Sequence, residues 1–386
     1  MSDDGSVPQV PTRRDTIKYG GAVVGGGLLA GCTGGETEPT NESESESTAD
    51  TANSSYSVTI EPVGEVTFDA VPNTWVAENA SWADMGVALG LGKPSAVVLT
   101  GEYRTWHYED IPGLLTDKSE MVSLWQDGIS KELFLDIDAG VHFIDPNYMI
   151  NLIPNWEQSD VDEMIQQVGP FCGNTSFSTY PWHENYSYYS LYEATEKMAQ
   201  VFQREDRFEA LSGFHDSVVT DIQDRLPPES ERPEIALLSP GSTEPETFYP
   251  YRIGERTAYK HWQDLGVSDA LAGSDIQSFT SDRGNIDYEP LLEIDPDVIM
   301  LYTDKQWTPS AFEDTYVSFL QDHDTASQLT AVQNGDVHPA GGMYQGPIIN
   351  FSKTERAAKQ LFPEEFGEDE QLYDRDELAT IIDGDI

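Results

Sequence analysis

Basic residues are scarce in this 386-residue chain: 21 Lys and Arg stand against 69 Asp and Glu, for a formal net charge of −48. That balance excludes nucleic acid and anionic lipid surfaces as electrostatic partners. Hydrophobic content is an ordinary 38%, so a core can form. Such a composition suits a protein kept soluble in multimolar salt, where the screening length falls to about 3 Å, and a halophilic source is the expectation. Cysteine is nearly absent. With only Cys32 and Cys172, no internal disulfide remains once Cys32 is otherwise engaged, and Cys172 is expected to be a small buried apolar side chain. No apolar run approaches the ~20 residues of a membrane span. Catalytic and metal signatures are missing too: there is no Gly-x-Ser-x-Gly elbow, no His-Glu-x-x-His pair and no calcium-loop spacing. The seven histidines, His107, His142, His183, His215, His261, His323 and His338, are scattered without ligand spacing. A bare-metal site and a secreted hydrolase are therefore disfavoured.

The first 32 residues read as an address rather than as structure. Thr12-Arg13-Arg14-Asp15-Thr16-Ile17-Lys18 fits a twin-arginine export motif, departing from it at Thr16, where Phe is preferred. Tyr19 to Gly31 is short, Gly-rich and apolar, and Leu29-Ala30-Gly31-Cys32 completes a lipobox. Cleavage before Cys32 and lipid on its sulfur would anchor the protein at the outer face of the membrane. Removing the signal takes away three basic and three acidic residues, leaving 18 against 66 and the same net charge. Residues 33–57, with Glu42-Ser-Glu-Ser-Glu-Ser47, are too polar for a core and read as a disordered acidic tether.

What remains is duplicated. Glu132-Leu-Phe-Leu-Asp-Ile-Asp-Ala-Gly-Val-His-Phe-Ile-Asp-Pro146 returns as Glu289-Pro-Leu-Leu-Glu-Ile-Asp-Pro-Asp-Val-Ile-Met-Leu-Tyr-Thr303. Each copy reads as a short helix with leucines on one face, an Ile-Asp turn and a β-branched run, one αβ unit of a buried parallel sheet. A helix closing on Leu-Gly precedes each, from Trp82 to Gly90 and from Tyr259 to Gly266. The expected fold is α/β, with two Rossmann-like β/α lobes joined by one long α-helix and a ligand cleft between them. The divisions are an N-terminal lobe over 58–203, a linker helix over 204–228, a C-terminal lobe over 229–365 and a loose acidic tail over 366–386. Helical spacing of Leu191, Ala194, Met198 and Val201, then of Phe208, Leu211, Val218, Ile222 and Leu226, predicts two helices broken near Arg204 to Asp206. Pro227-Pro228 and Pro233 end the second, and Glu234 to Leu238 begins lobe two as a buried strand.

Lipobox, two β/α lobes, connecting helix and paired "Glu…Leu-x-x-Ile-Asp" elements together resemble the ABC-transporter solute-binding proteins of the ferric-siderophore and vitamin B12 type, over residues 60 to 365. The resemblance implies capture of an iron chelate or corrinoid and its delivery to a membrane permease, without catalysis and with no cofactor of the protein's own, iron arriving as Fe3+ within the ligand. It also implies that one glutamate per lobe, here Glu132 and Glu289, docks on permease arginines. The Trp125-Gln126 step matches one that faces ligand in the family.

Strand-end loops of α/β lobes face the cleft, and here they are aromatic. Lobe one offers Trp75, Tyr103, Arg104, Trp106, Trp125, Gln126 and Tyr148; lobe two offers Phe248, Tyr249, Tyr251, Arg252, Arg283, Trp307 and Tyr344. Flat side chains cover the organic surface of a chelate, and guanidinium groups bond oxygens around its metal. His107 and His338 are the histidines expected in cleft loops. A repelling −48 chain favours a weakly charged ferric hydroxamate as ligand; catecholate, haem and corrinoid remain open. A monomer is expected.

Overall fold

The computed structural model describes residues 55–114, 117–303 and 306–384. The export signal, Cys32 and nearly all of the tether lie outside them. An antiparallel hairpin, β1 (Tyr56–Ile60) and β2 (Gly64–Phe68), opens the described chain. The hairpin is a sheet of its own, apart from the main sheet of lobe one. That sheet begins at β3 (Trp75–Ala77), wholly buried, followed by α1 (Ala80–Ala88), whose N-terminus is capped by Asn79. β4 (Ala96–Val97), β5 (Val122–Ser123), α2 (Lys131–Ile137) and β6 (Val141–Phe143) complete it, in the parallel order β5-β4-β3-β6. α3 (Pro146–Leu152) and α4 (Gln158–Gln167) pack on its flank.

α5 (Leu191–Phe202) ends at Gln203 in the left-handed conformation, and α6 (Glu205–Gln223) starts afresh after Arg204, as the helical spacing predicts. At 19 residues α6 is about 28 Å long. It buries Leu211, Phe214, Val218 and Ile222 and leads into lobe two.

Lobe two contains β7 (Glu234–Pro240), β8 (Phe248–Tyr251), α7 (Lys260–Asp264), β9 (Ser268–Asp269), α8 (Phe279–Asp282), α9 (Tyr288–Ile294), β10 (Val298–Tyr302), α10 (Pro309–Phe312), α11 (Ser318–Asp322), α12 (Thr330–Asn334), β11 (Val337–Gly341) and α13 (Pro347–Leu361). The strand order is β11-β10-β7-β8, with β9 also on β7. β8 runs antiparallel to β7, which departs from the expected all-parallel sheet. Only residues 241–247 connect the two strands, too few for a parallel crossover.

The duplication is exact at its core. α2 and α9 are capped by Ser130 and Asp287, carry Glu132 and Glu289 in the first turn, and stop at Asp138 (φ 48°) and Asp295 (φ 47°). A spacing of 157 residues relates every one of these pairs. α13 then returns to lobe one: Asp84 of α1 accepts the Ile349 N–H at 3.0 Å, and Ser81 Oγ accepts the Gln345 N–H at 3.1 Å. Gly346 allows this approach, since a β-carbon there would lie 2.7 Å from the Asp84 carboxylate.

β11 is one edge of the lobe-two sheet. Two side chains of α13 cover its carbonyls, Arg356 Nη2 bonding Ala340 O at 3.1 Å and Gln360 Nε2 bonding Pro339 O at 3.4 Å. Residues 366–384 are not the loose tail expected from their acidity. α14 (Arg375–Asp383), capped by Asp374, buries Leu378, Ile381 and Ile382 against α6, and Arg375 forks onto Glu355 with two 2.9 Å bonds.

Candidate functional site

Strand ends from both lobes meet around a cavity of about 150 Å³, small against the 300–1,000 Å³ usual for ligand sites. Lobe one supplies Glu102, Arg104 and His107; lobe two supplies Tyr251, Tyr302 and Tyr344. Phe177 meets Tyr344 edge-on across the lobes at 5.0 Å and Tyr180 at 6.1 Å. Tyr148 of α3 completes this group: burial first, then the charges of Glu78 and Glu102, push the hydroxyls of Tyr148, Tyr180 and Tyr344 well above their usual range. Among the described residues none of the three hydroxyls has a hydrogen-bond partner. They are therefore donors held in an aromatic wall with nothing of the protein's own to bond.

Beneath them lies Glu78, the residue that follows buried β3. Its carboxylate accepts the Asp145 N–H at 3.0 Å and Asn79 Nδ2 at 3.2 Å, yet burial and the neighbouring Asp145 raise its pKa to about 8. Asp145 accepts bonds from Tyr186 (2.5 Å), Thr175 (3.0 Å), and the backbone and side chain of Asn147 (2.8 and 3.1 Å). Of the two acids, Asp145 has the better partners for a charge, so Glu78 keeps the proton at neutral pH. Asp84, where the lobes meet, is raised to about 7 by burial despite bonds from Ile349 and Tyr108.

The expected site residues divide by place. Arg104 and Tyr344 line the cavity, and Tyr251, named with them, does so too; Tyr148 joins their cluster. Arg283, left-handed at the end of α8, stands 5.2 Å over the Phe279 ring and near enough to Tyr180 to oppose the rise of its pKa. Tyr249 packs on the same Phe279 at 4.5 Å. Trp106 stacks on His107 at 3.5 Å and faces Arg356 at 5.3 Å, joining the lobes.

Four expectations are corrected. Trp75, 3% exposed, fills the lobe-one core against Gly86, Phe143 and Phe202, and Phe248, 2% exposed, fills that of lobe two. Tyr103 is buried in a hydroxyl chain through Tyr108 to Asp84. Arg252 is held by Asp269 at 2.7 Å and Ile276 O at 2.9 Å. Each was placed in the cleft because an aromatic or basic residue beside a strand reads the same whether it packs inward or faces ligand. Trp307 bonds Thr303 and packs on Phe312 and Tyr316 beside a separate groove that His338 also lines. Trp125 and Gln126 line a depression at the lobe-one corner with Glu132, one formed by lobe-one residues alone. Glu289 is exposed at the equivalent place of lobe two.

Tyr180, Phe177, Glu102 and Glu78 were missed. For Glu78 a signal existed, a carboxylate directly after the apolar strand Trp75-Val-Ala77; for Tyr180 there was none, since residues 171–190 have no periodicity. Among the described residues no three His, Cys, Asp or Glu side chains are grouped to hold a metal ion, and no helix is long and apolar enough to cross a membrane.

Residues 149–340 match the family model for periplasmic binding proteins. Over that segment the chain is similar to the periplasmic binding proteins. Its fold recurs in solved binding proteins of low sequence identity. A periplasmic binding protein from Veillonella parvula superposes with TM-score 0.59 at 15% identity, over 80% of this chain and 98% of that one. An ABC-type Fe3+-hydroxamate transport system protein from Saccharomonospora viridis gives 0.50 at 20%, over 80% and 99%. The triscatecholate siderophore binding protein FeuA of Bacillus subtilis, complexed with ferri-bacillibactin, gives 0.53 at 12%, over 80% and 98%. These likenesses show the fold of the binding-protein domain. No curated protein matches the chain in sequence.

Proposed function

We propose that this is the extracytoplasmic substrate-binding protein of an ABC importer, which captures a ferric siderophore of hydroxamate type and delivers it to the membrane permease. The observation that carries this reading is the wall of Tyr148, Tyr180 and Tyr344, drawn from both lobes, with Arg104 and Arg283 beside it. Phenol donors and guanidinium groups complement the oxygen-rich surface of an iron chelate, and the rings cover its carbon. A chelate is larger than the cavity, so it seats across the mouth. The named Fe3+-hydroxamate protein of the same fold supports the ligand class. Cobalamin and haem are the alternatives within this fold, and a lipid-anchored hydrolase is the remote one.

In this reading Glu132 and Glu289 dock on the permease, lipid on Cys32 holds the protein to the membrane after twin-arginine export, and the protein acts as a monomer in strong brine. Calorimetric titration in multimolar salt with ferrioxamine, a ferric catecholate, haem and cobalamin tests the ligand. The expected result is tight ferrioxamine binding, weakened about tenfold or more by Arg283→Ala through loss of one or two charge-assisted bonds. Cobalamin capture with indifference to ferric hydroxamates would overturn the ligand class.

A further inference from the structure

Residues 171–190 of lobe one lie against the loop that follows β8 in lobe two. Thr257 donates its N–H to Ser176 O at 3.1 Å, and the Arg256 guanidinium stands over the Tyr188 ring, 3.5 Å from its centre. Tyr188 is fixed in turn by a 2.7 Å bond between its hydroxyl and His183 Nδ1. The junction encloses a pocket of about 380 Å³, within the range usual for ligand sites. It shares no residue with the smaller cavity at the strand ends. Phe177 and Tyr180 belong to the aromatic wall, while Ser178 and Thr179 between them line this pocket.

Its lining is rich in donors. Arg252 and Arg256 stand there against a single carboxylate, that of exposed Glu255, in a chain whose acidic residues outnumber the basic ones by 69 to 21. Asp269, 2.7 Å away, answers the charge of Arg252. Arg256 has no such answer: among the described residues it makes no ion pair and its guanidinium donates no hydrogen bond. Stacking on a ring occupies the face of a guanidinium and leaves the N–H groups of its edge to bond something else. Ser178 and Thr280, which also line the pocket, are 2 and 6% exposed. Among the described residues neither hydroxyl has a hydrogen-bond partner, and a buried donor left in that state is costly to a fold.

We propose that this pocket binds an oxyanion group, held by charge-assisted bonds from Arg256 and completed by the hydroxyls of Ser178 and Thr280. A group with several acceptor oxygens and a negative charge satisfies all three side chains at once, and it ties lobe one to lobe two. Such bonds act at contact distance, so they persist in salt that screens the long-range field of the chain. Two sources carry this chemistry: a free inorganic oxyanion, or a carboxylate arm on a chelate seated at the adjoining aromatic wall. The second rests on the transport reading above and the first does not.

Calorimetric titration of the purified protein, in potassium chloride at fixed ionic strength, tests both. One arm uses sulfate and phosphate. The other compares ferrioxamine B acetylated on its free amine with ferrioxamine B succinylated there, two chelates alike around the metal and differing by a terminal carboxylate. The expected result is saturable binding of an inorganic oxyanion, or tighter binding of the succinylated chelate than of the acetylated one; the first assigns a free anion and the second an arm. Arg256→Gln should weaken whichever is found about tenfold or more, and Thr280→Val about threefold to tenfold. The valine variant keeps the shape of Thr280 and carries the test if Arg256→Gln fails to fold without its contact to Tyr188. No saturable binding of sulfate or phosphate together with equal affinities for the two chelates would overturn the proposal, as would variants that bind like the wild type. Should neither chelate bind at all, the transport reading fails by itself, and the sulfate and phosphate titrations alone decide the pocket.

Discussion

Replacing Glu78 with Gln should make the protein's stability less dependent on pH in one defined window. In the folded protein the Glu78 carboxyl, buried beside Asp145, holds its proton to about pH 8, against an ordinary value of 4.5. Between those values the unfolded chain has released a proton that the folded chain keeps. Stability contributed by Glu78 is therefore fully present below pH 4.5, falls as pH rises towards 8, and is level above it. At 1.36 kcal/mol per pH unit the whole effect is up to ~5 kcal/mol, of which ~2 kcal/mol lies between about pH 6.5 and 8. Buried His142 and His215, both lowered to about 4, act in the opposite sense and lose stability as pH falls below about 6.5, and buried Lys353, held well below its usual range by burial, acts in that sense too, but all three are common to both proteins and cancel in the comparison over that window. Asp84 contributes there only up to about pH 7. Gln retains an oxygen for the Asp145 N–H and cannot ionise. Guanidinium chloride denaturation at fixed ionic strength, followed by tryptophan fluorescence, should show the variant gaining ~2 kcal/mol on the wild type between about pH 6.5 and 8. Parallel curves for the two proteins would mean that Glu78 ionises normally and that the folded protein pays nothing to keep it in place.

Cys32→Ser should release the protein from the membrane into the medium without changing chelate affinity; fractionation that finds the variant still membrane-bound would count against lipidation. Truncation after Tyr373 removes Leu378, Ile381 and Ile382, each buried. At ~1.5–3 kcal/mol per side chain, loss of that packing should cost ~5 kcal/mol or more, and a denaturation midpoint equal to wild type would show that α14 does not support α6.

The αβ units were legible because a strand buried on both faces must be a continuous apolar run, and Val298-Ile-Met-Leu-Tyr302 has no other reading. The break at Arg204 was legible because the apolar stripe of Leu191 to Val201 gives way to the polar run Gln203-Arg-Glu-Asp-Arg207 before Phe208. α14 was hidden by composition: Leu378, Ile381 and Ile382 recur at helical spacing, but acidic neighbours make the whole segment look solvated. Half of the candidate site was visible, and the rest was mixed with core. Trp75 and Tyr344 both adjoin strands and both are aromatic; only the packing of Gly86 against one and the open lobe boundary beside the other separates them. Tyr148, Tyr344, Arg104 and Arg283 could be named from loop position, whereas Tyr180 and Phe177 lie in a stretch whose path no local pattern specifies.

The covered edge of β11 bears on how the protein behaves in company. An open strand edge offers its amides and carbonyls to any neighbouring chain as a template for a further strand. Here Pro339 lacks an N–H, and Arg356 and Gln360 occupy the carbonyls of Ala340 and Pro339. At high salt the −48 charge would give little mutual repulsion at a distance, so there charge alone would not keep neighbouring copies from joining sheet to sheet. That protection falls to two side chains of a single helix, which makes Arg356 and Gln360 guardians of solubility as well as of packing.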